Sequence, residues 1–350
     1  MINILDLTPD ELKKTLAEIG DKPFRANQIL NWIYQGVFEF DEMKNLGEET
    51  KTLLKKQFVV EVPPMIRLLK SMDGTRKGLL SLSDSNIIEA VLMKYEHGYS
   101  VCISTQVGCR MGCSFCASTK EGLIRNLTAG EMIGQILALQ KIAGERISNV
   151  VLMGSGEPLD NFEQVKKFLS MVSQPWGLNI GQRHITLSTC GVAPNIRKFA
   201  DLDNQVTLAI SLHQTDDVAR RKLMPIAYQY DLKELFSALH YYQDKTKRRI
   251  SFEFALMNGV NDSEADAIKL RNLLQGLKSH INLIPLNEIK DGIYHKPDGK
   301  RVEAFRQKME ELGIETTTRR EKGADIDAAC GQLKRSFLDQ GGEPDGREVD

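Results

Sequence analysis

Apolar residues recur at helical spacing throughout the first 60 residues of the chain. Residues 8–11, with the sequence TPDE, form a capping box that places proline at the first helical position. Two further stretches at 24–34 and 43–58 continue the helical period and are separated by short polar breaks. The pattern predicts a small helical domain over residues 1–62.

The period changes to that of short strands after the pair Pro63-Pro64. Asp-Gly and Asp-Ser steps, which are typical of turns, separate several of these apolar runs. The predicted strands cover 66–70, 78–82, 87–94 and 99–105. This arrangement predicts a β-meander over residues 63–98 that links the helical domain to the rest of the chain.

Strands and helices alternate from residue 99 onward. The predicted strands cover 101–105, 149–153, 184–189, 206–213, 250–256, 281–286 and 315–319. The predicted helices include 129–142, 163–172, 232–242, 264–277 and 302–312. The strands are continuous apolar runs, as expected for parallel strands covered by helices. We therefore expect an α/β domain over 99–333, either doubly wound or a complete or partial barrel, with functional groups where strands end.

The composition is that of an ordinary globular protein and changes this picture little. The 350 residues carry a formal net charge of −1. No apolar run approaches the ~18 residues that a membrane helix requires, and the first residues do not resemble an export signal. These features predict a cytoplasmic protein with no membrane contact.

The near-neutral charge argues against a nucleic-acid binder that relies on bulk electrostatics. However, the last ten residues hold four acids and one arginine, so residues 1–340 have a net charge of −1 + 3 = +2. An acidic tail, predicted over 334–350, therefore conceals local basic clusters. RNA recognition through shape and an extruded base remains open.

Three of the six cysteines lie within eight residues, in the pattern C-x3-C-x2-C formed by Cys109, Cys113 and Cys116. A structural zinc ion would need a fourth ligand, and Cys102 is the nearest candidate. Three cysteines without a fourth suit a [4Fe–4S] cluster that keeps one iron open for a ligand. In a reducing compartment such a cluster of cysteines indicates metal or redox chemistry.

This spacing after the first strand of an α/β domain resembles the radical S-adenosylmethionine (SAM) superfamily. The resemblance implies a partial (β/α)6 barrel whose cluster binds SAM at the open iron. One electron from the cluster then cleaves SAM to methionine and a 5′-deoxyadenosyl radical. The glycine-rich turn containing Gly156 and Glu157 resembles the motif that binds the SAM amine in this superfamily.

Polar residues follow several other predicted strands, and each could simply be a satisfied turn residue. Their shared position at successive strand ends favours a common pocket. The resemblance implies that these polar residues, together with Leu212, contact SAM; they are Ser188, Ser211, His213 and Asn287.

The segments 106–116 and 325–333 are similar to the radical-SAM RNA adenine methyltransferases. This resemblance implies methylation of adenine C2 in 23S rRNA and tRNA. It also implies that one SAM methylates Cys330, that a second SAM activates this methyl group, and that the methylene carbon adds to adenine. Cys102 would then release the RNA and leave a Cys102–Cys330 disulfide. Glu89, which could otherwise be a strand-edge charge, would be the proton acceptor.

Pro158 and the run Leu-Ile-Pro at 283–285 resemble the C2-directed members more than their C8-directed relatives. A C8-directed methyltransferase is the alternative within the superfamily. An iron–sulfur redox or sensor protein, or an RNA-binding module with structural zinc, are alternatives from other classes. The implied partners are RNA, an electron donor such as flavodoxin or ferredoxin, and a thiol reductant for the disulfide.

Overall fold

The computed structural model describes residues 1–289, 292–320 and 322–326. The strands are β1 Ile2–Asn3, β2 Phe58–Val59, β3 Met65–Lys70, β4 Arg76–Ser81, β5 Ile87–Tyr95, β6 Gly98–Cys102, β7 Gln106–Gly108, β8 Leu123–Asn126, β9 Ile147–Leu152, β10 Ile185–Thr189, β11 Thr207–Ser211, β12 Ile250–Leu256, β13 Ser279–Pro285 and β14 Thr316–Thr318. The α-helices are α1 Pro9–Glu18, α2 Arg25–Tyr34, α3 Glu48–Gln57, α4 Ala129–Ala143, α5 Phe162–Val172, α6 Ala193–Asp201, α7 Asp217–Leu223, α8 Leu232–Thr246, α9 Glu264–Leu273 and α10 Gly299–Glu311. Among these residues, no helix combines the length and apolar character needed to cross a bilayer.

The N-terminal helices form as the apolar spacing predicts. The capping box of α1 is confirmed: the Thr8 hydroxyl accepts the Glu11 N–H at 3.3 Å, and the Glu11 carboxylate accepts the Thr8 N–H at 2.7 Å. The carboxylate of Asp6 accepts the N–H of Gly130 at 2.7 Å, in the first turn of α4. This contact attaches the N-terminal segment directly to the α/β part of the chain.

The meander strands β3, β4, β5 and β6 pair antiparallel in sequence order. β6 also pairs in parallel with β9, so the meander continues the main sheet instead of forming a separate layer. Cys102 lies opposite Val91 on one side and Val151 on the other. The sheet therefore positions the end of β6 from both sides.

Including β6, seven strands of this ten-stranded sheet are parallel to one another, in the order β14-β13-β12-β11-β10-β9-β6. The central strands are buried apolar runs, as predicted, because helices cover the sheet. In the part of the chain that the structure describes, β14 and β3 are its two edges and do not pair. The α/β fold is therefore an open sheet and not a closed barrel.

Helix α4 is buried along most of its length, between the sheet and the N-terminal segment. Two helices, α6 and α7, were not among those predicted from the sequence. α6 starts with Ala-Pro, a helix-start signal, but is short, and α7 has only seven residues, several of them charged. Such short segments show too little periodicity to be recognised from the sequence alone.

Candidate active site

A cavity of about 260 Å³ lies where the parallel strands end. Its wall includes the cysteine loop and residues at or just after the C-terminal halves of β9, β10, β11, β12 and β13. The residues predicted from the sequence that line it are Cys109, Cys113, Cys116, Gly156, Glu157, Ser188, Ser211, His213 and Asn287. The fold thus brings together side chains that lie up to 178 positions apart in the chain.

Backbone geometry shapes the loop that carries the three cysteines. The hairpin of β7 and β8 brackets this loop, and Gly108 adopts a φ of +74° at its start. A Cβ at Gly108 would lie 2.0 Å from the carbonyl oxygen of Gly122, so only glycine fits. The Thr119 hydroxyl donates to the carbonyl oxygens of Cys113 and Cys116, at 3.2 and 3.0 Å. These contacts fix the path of the loop around the cavity.

The three thiols are shielded from water, and this affects their chemistry. Burial raises the pKa of Cys109 to about 12, and the nearby Glu157 and Cys116 add to the effect. The pKa values of Cys113 and Cys116 are raised chiefly by burial as well. Thiolates become favourable in such a place only when a bound cation stabilises them.

The donor set fits a [4Fe–4S] cluster held by three cysteines. Within the described residues, no three cysteine, histidine, aspartate or glutamate side chains converge closely enough to hold a single metal ion. A cluster does not require that convergence, because each cysteine binds a separate iron atom. The shared cavity and the mutual effect of the thiols on their pKa values support this fit.

Glu157 is a fixed acceptor in the cavity wall and is only 3% exposed. One carboxylate oxygen accepts the N–H of Leu159 at 2.9 Å, and the other accepts the N–H of Cys190 at 2.7 Å. Its own N–H donates to the side-chain oxygen of Gln106 at 2.9 Å. Burial raises the pKa of Glu157. Hydrogen bonds from Cys190, Thr189 and Leu159 to the carboxylate partly counteract this rise.

The two glycines before Glu157 allow close backbone approach, as the sequence suggests. A Cβ at Gly154 would lie 2.6 Å from the carbonyl oxygen of Ile103. Gly156 has a φ of +107°, and a Cβ there would lie 2.6 Å from the Cβ of Gln106. The turn after β9 therefore packs directly on the segment after β6.

His213 lies in the cavity wall as a neutral hydrogen-bond donor. Its Nδ1 accepts the N–H of Ala255 at 3.0 Å, which leaves the proton on Nε2. Burial lowers its pKa to about 3, and the nearby Arg220 adds to this effect. The hydroxyls of Ser188 and Ser211 lie 3.4 Å apart beside it on neighbouring strands.

Some predicted residues do not line the cavity. The side chain of Leu212 is buried in the core, and its N–H donates to the carbonyl oxygen of Glu253 at 3.1 Å. Glu89 is buried on β5, and its charge contributes to the raised pKa of Cys116, so it lies near the cysteine loop. Cys102 is buried at the end of β6. Cys330 lies outside the described residues.

Two charged residues of the cavity wall, Glu253 and Arg319, were missed from the sequence. Glu253 is 6% exposed on β12, and its carboxylate accepts from the side-chain amide of Asn282 at 2.8 Å. Burial raises its pKa, which the positive charge of Arg319 partly counteracts. The sequence does carry a signal, because a glutamate interrupts the otherwise apolar run of β12.

Comparison with known proteins gives the class that this fold and cavity define. Residues 103–270 match the family model of the Radical SAM superfamily. Residues 2–60 match that of the ribosomal RNA large subunit methyltransferase N-terminal domain. A crystal structure of a radical SAM methyltransferase from Sphaerobacter thermophilus superposes with a TM-score of 0.91 at 40% identity, covering 95% of this chain and 99% of that one. The protein is therefore a radical SAM enzyme that uses a [4Fe–4S] cluster and SAM.

Close relatives narrow the class to one family. A probable dual-specificity RNA methyltransferase RlmN from Clostridium botulinum is 57% identical over 97% of this chain and 99% of its own length. The corresponding protein from Clostridium perfringens is 55% identical over 97% and 98%. The chain belongs to the RlmN family of radical SAM RNA methyltransferases.

Proposed function

We propose that this enzyme methylates C2 of adenosine in 23S rRNA and in tRNA. The names of its relatives describe a dual-specificity RNA methyltransferase, which agrees with two RNA substrates. Residues 2–60 match a domain named for a large-subunit rRNA methyltransferase, which agrees with 23S rRNA as one of them. Pro158 and the run at 283–285, which resemble the C2-directed enzymes, favour C2 over C8. Such RNA substrates imply a cytoplasmic enzyme.

Cys109, Cys113 and Cys116 would hold the cluster, which supplies the electron that cleaves SAM when both are bound. Glu157, a carboxylate in the cavity wall, would accept a hydrogen bond from the SAM amine. The rest of SAM would contact the polar strand ends: Ser188, Ser211, Leu212 through its backbone, His213 through Nε2–H, and Asn287. An electron donor such as flavodoxin or ferredoxin would return the cluster to its reduced state.

The protein's own thiols would carry the methyl group. The Cys330 thiolate would attack the methyl carbon of one SAM and become a thioether as S-adenosylhomocysteine leaves. The 5′-deoxyadenosyl radical from a second SAM would take a hydrogen atom from this methyl group, and the resulting carbon radical would add to C2. The adduct would return one electron to the oxidised cluster, and Glu89 would accept the proton that C2 loses. The Cys102 thiolate then attacks the Cys330 sulfur, so an S–S bond forms as the C–S bond to RNA breaks. The released carbon takes a proton to become methyl, and a thiol reductant opens the disulfide.

The strand register carries this proposal. Cys102 is directly opposite Val91 in the antiparallel pair of β5 and β6, so both side chains point to the same face. Glu89 is two residues from Val91 and points to that face as well. Diagonal neighbours of this kind lie about 7–8 Å apart, which is close enough for a base and a thiol to act on one adenine.

Mass spectrometry of RNA nucleosides tests the product. Cluster-loaded protein would react anaerobically with SAM, a reductant and unmodified rRNA or tRNA. We expect 2-methyladenosine. The appearance of 8-methyladenosine would assign the enzyme to C8, and SAM cleavage without any methylated nucleoside would contradict a methyltransferase.

Substitution of Cys102 tests the thiol chemistry. The Cys102→Ala enzyme should stop before the RNA is released and should therefore accumulate a protein–RNA adduct. The adduct would appear on a denaturing gel as a protein band of lower mobility that nuclease treatment removes. The double variant Cys102→Ala, Cys330→Ala is the matched control and should form no adduct. An adduct that persists in the double variant would mean that a residue other than Cys330 carries the methyl group.

A further inference from the structure

Arg220, on the short helix α7, is a buried cation that the proposed reaction does not use. Its side chain is 0% exposed. Nη2 donates to the carbonyl oxygen of Cys190 at 2.7 Å, and Nε donates to that of Leu212 at 3.3 Å. Nη1 is buried without a hydrogen-bond partner. Among the residues described, no carboxylate forms an ion pair with this guanidinium within 4.0 Å.

Such a charge is costly in a cluster-free protein. A buried ion without a counter-charge costs several kcal/mol in a protein interior, and an arginine side chain cannot escape that cost by losing its proton. The charge of Asp217, on the same helix, attracts the guanidinium only at longer range, because its carboxylate forms no ion pair with it and accepts the N–H of Leu232 at 2.8 Å. The two carbonyl dipoles solvate only part of the guanidinium. A negative group must therefore compensate for the rest.

The position of Arg220 identifies that group. The C-terminal end of α7 packs on the cysteine loop, where the N–H of Ser114 donates to the carbonyl oxygen of Leu223 at 2.9 Å. A Cβ at Gly112 of the same loop would lie 3.2 Å from the ring of Pro225, just after the helix. Cys190, which accepts from the guanidinium, lines the cavity together with the three loop cysteines. The positive charge thus lies directly behind the wall of the cluster site.

We propose that Arg220 is the counter-charge of the iron–sulfur cluster. A [4Fe–4S] cluster with three thiolates has a net negative charge, and reduction makes this charge more negative by one electron. A fixed cation nearby stabilises the reduced state more than the oxidised state, so it raises the reduction potential. Arg220 therefore makes the cluster easier to reduce before SAM is cleaved. This role depends on the cluster and not on which RNA atom is methylated.

A redox titration of the loaded protein, followed by electron paramagnetic resonance, tests this role. Arg220→Met removes the charge and keeps the length of the side chain. We expect its cluster to be at least tenfold harder to reduce, which corresponds to a potential about 59 mV more negative for one electron. Arg220→Lys keeps the charge and should stay closer to the wild type. Arg197→Met removes one partly exposed positive charge from α6 and should leave the potential unchanged.

Three results would overturn the proposal. One is an Arg220→Met protein that retains the wild-type potential, because the arginine would then serve only the fold. Another is an equal shift in Arg197→Met, which would implicate total charge instead of position. If the methionine variant does not fold, Arg220→Lys provides the test. A cluster that is tenfold harder to reduce in this variant, which retains the charge, would exclude a charge effect. Each result is independent of methylation activity.

Discussion

Replacing Gly156 with alanine tests how the turn after β9 builds the SAM site. Gly156 has a φ of +107°, which side chains rarely adopt, and its added Cβ would lie 2.6 Å from the Cβ and 2.7 Å from the backbone nitrogen of Gln106. Gln106 holds the N–H of Glu157 through its side-chain oxygen. Alanine therefore strains the backbone and also pushes on the residue that positions the proposed ligand of the SAM amine.

The two effects can be estimated separately. A positive φ costs a residue with a Cβ about 1–2 kcal/mol. Overpacking against a rigid neighbour typically costs about 1–3 kcal/mol more. Gly156→Ala should thus lower the free energy of unfolding by about 2–5 kcal/mol in total.

Gly144→Ala is the matched control. Gly144 ends α4 with a φ of +68°, and a Cβ there would have no atom within 4 Å. The Gly144→Ala variant should lose only the free energy of unfolding that the positive φ costs, about 1–2 kcal/mol, as measured by urea denaturation. SAM binding to the loaded protein, measured by equilibrium dialysis, should fall at least tenfold in Gly156→Ala and stay unchanged in Gly144→Ala.

Equal losses of stability in the two variants would show that Gln106 moves away without cost. Normal SAM affinity in a destabilised Gly156→Ala protein would refute the link from Gly156 through Gln106 to Glu157. Either result would mean that the close packing of this turn does not control the ligand site.

Three further substitutions test other parts of the molecule. Cys330→Ala should retain the cluster and SAM binding but transfer no methyl group to RNA, as measured with labelled SAM; continued transfer would contradict the methyl-carrier role. Asp84→Asn removes a carboxylate whose pKa Arg125 lowers below 3.8. The wild type loses the stability from this carboxylate as the pH falls below 3.8. The variant should therefore be less stable at neutral pH, and its free energy of unfolding, measured by denaturant titration, should fall less steeply in acid. Burial raises the pKa of Glu253 above 4.5, so the wild type loses stability as the pH rises above 4.5. The Glu253→Gln variant should retain this stability. If its free energy of unfolding depended on pH as in the wild type, a buried charge at Glu253 would be contradicted.

The sequence predicted the sheet well because burial determines its strands. Parallel strands covered on both faces must be apolar along their whole length, and this requirement is visible without a structure. The positions of the strand ends could also be predicted, because polar residues there interrupt the apolar runs. Gly156 and Glu157 combine with Ser188 and Ser211 in one cavity for this reason.

The sequence could not reveal contacts that depend on packing between distant segments. Arg220 resembles any charged residue of a short helix, and only the folded chain buries it behind Cys190. Glu253 is recognisable as unusual, but its partner Asn282 belongs to the next strand, and the pairing depends on register. Register and helix docking result from many weak contacts that no local pattern contains.

The last described segment extends this argument to the two edges of the sheet. After β14, at one edge, the chain crosses to the turn between β3 and β4, at the other edge. The N–H of Gly323 donates to the carboxylate of Asp73 at 3.1 Å. The carboxylate of Asp325 in return accepts the N–H of Met72 at 3.1 Å and the hydroxyl of Ser71. Reciprocal hydrogen bonds therefore connect the end of the described chain to a turn about 250 residues earlier in the sequence.

This attachment bears on the proposed disulfide partner. Cys330 is five residues beyond Asp325, and five extended residues span at most about 17 Å. Cys102 is on β6, three strands from β3, which corresponds to about 14 Å across the sheet. Counted from Arg319, the first residue after β14, the tether would have eleven residues, and the local concentration of a tethered group falls roughly threefold between those two lengths. The hydrogen bonds of Asp325 thus shorten the tether that the proposed Cys102–Cys330 disulfide has to span, although nothing in the local sequence around Ser71 or Asp325 indicates that these segments meet.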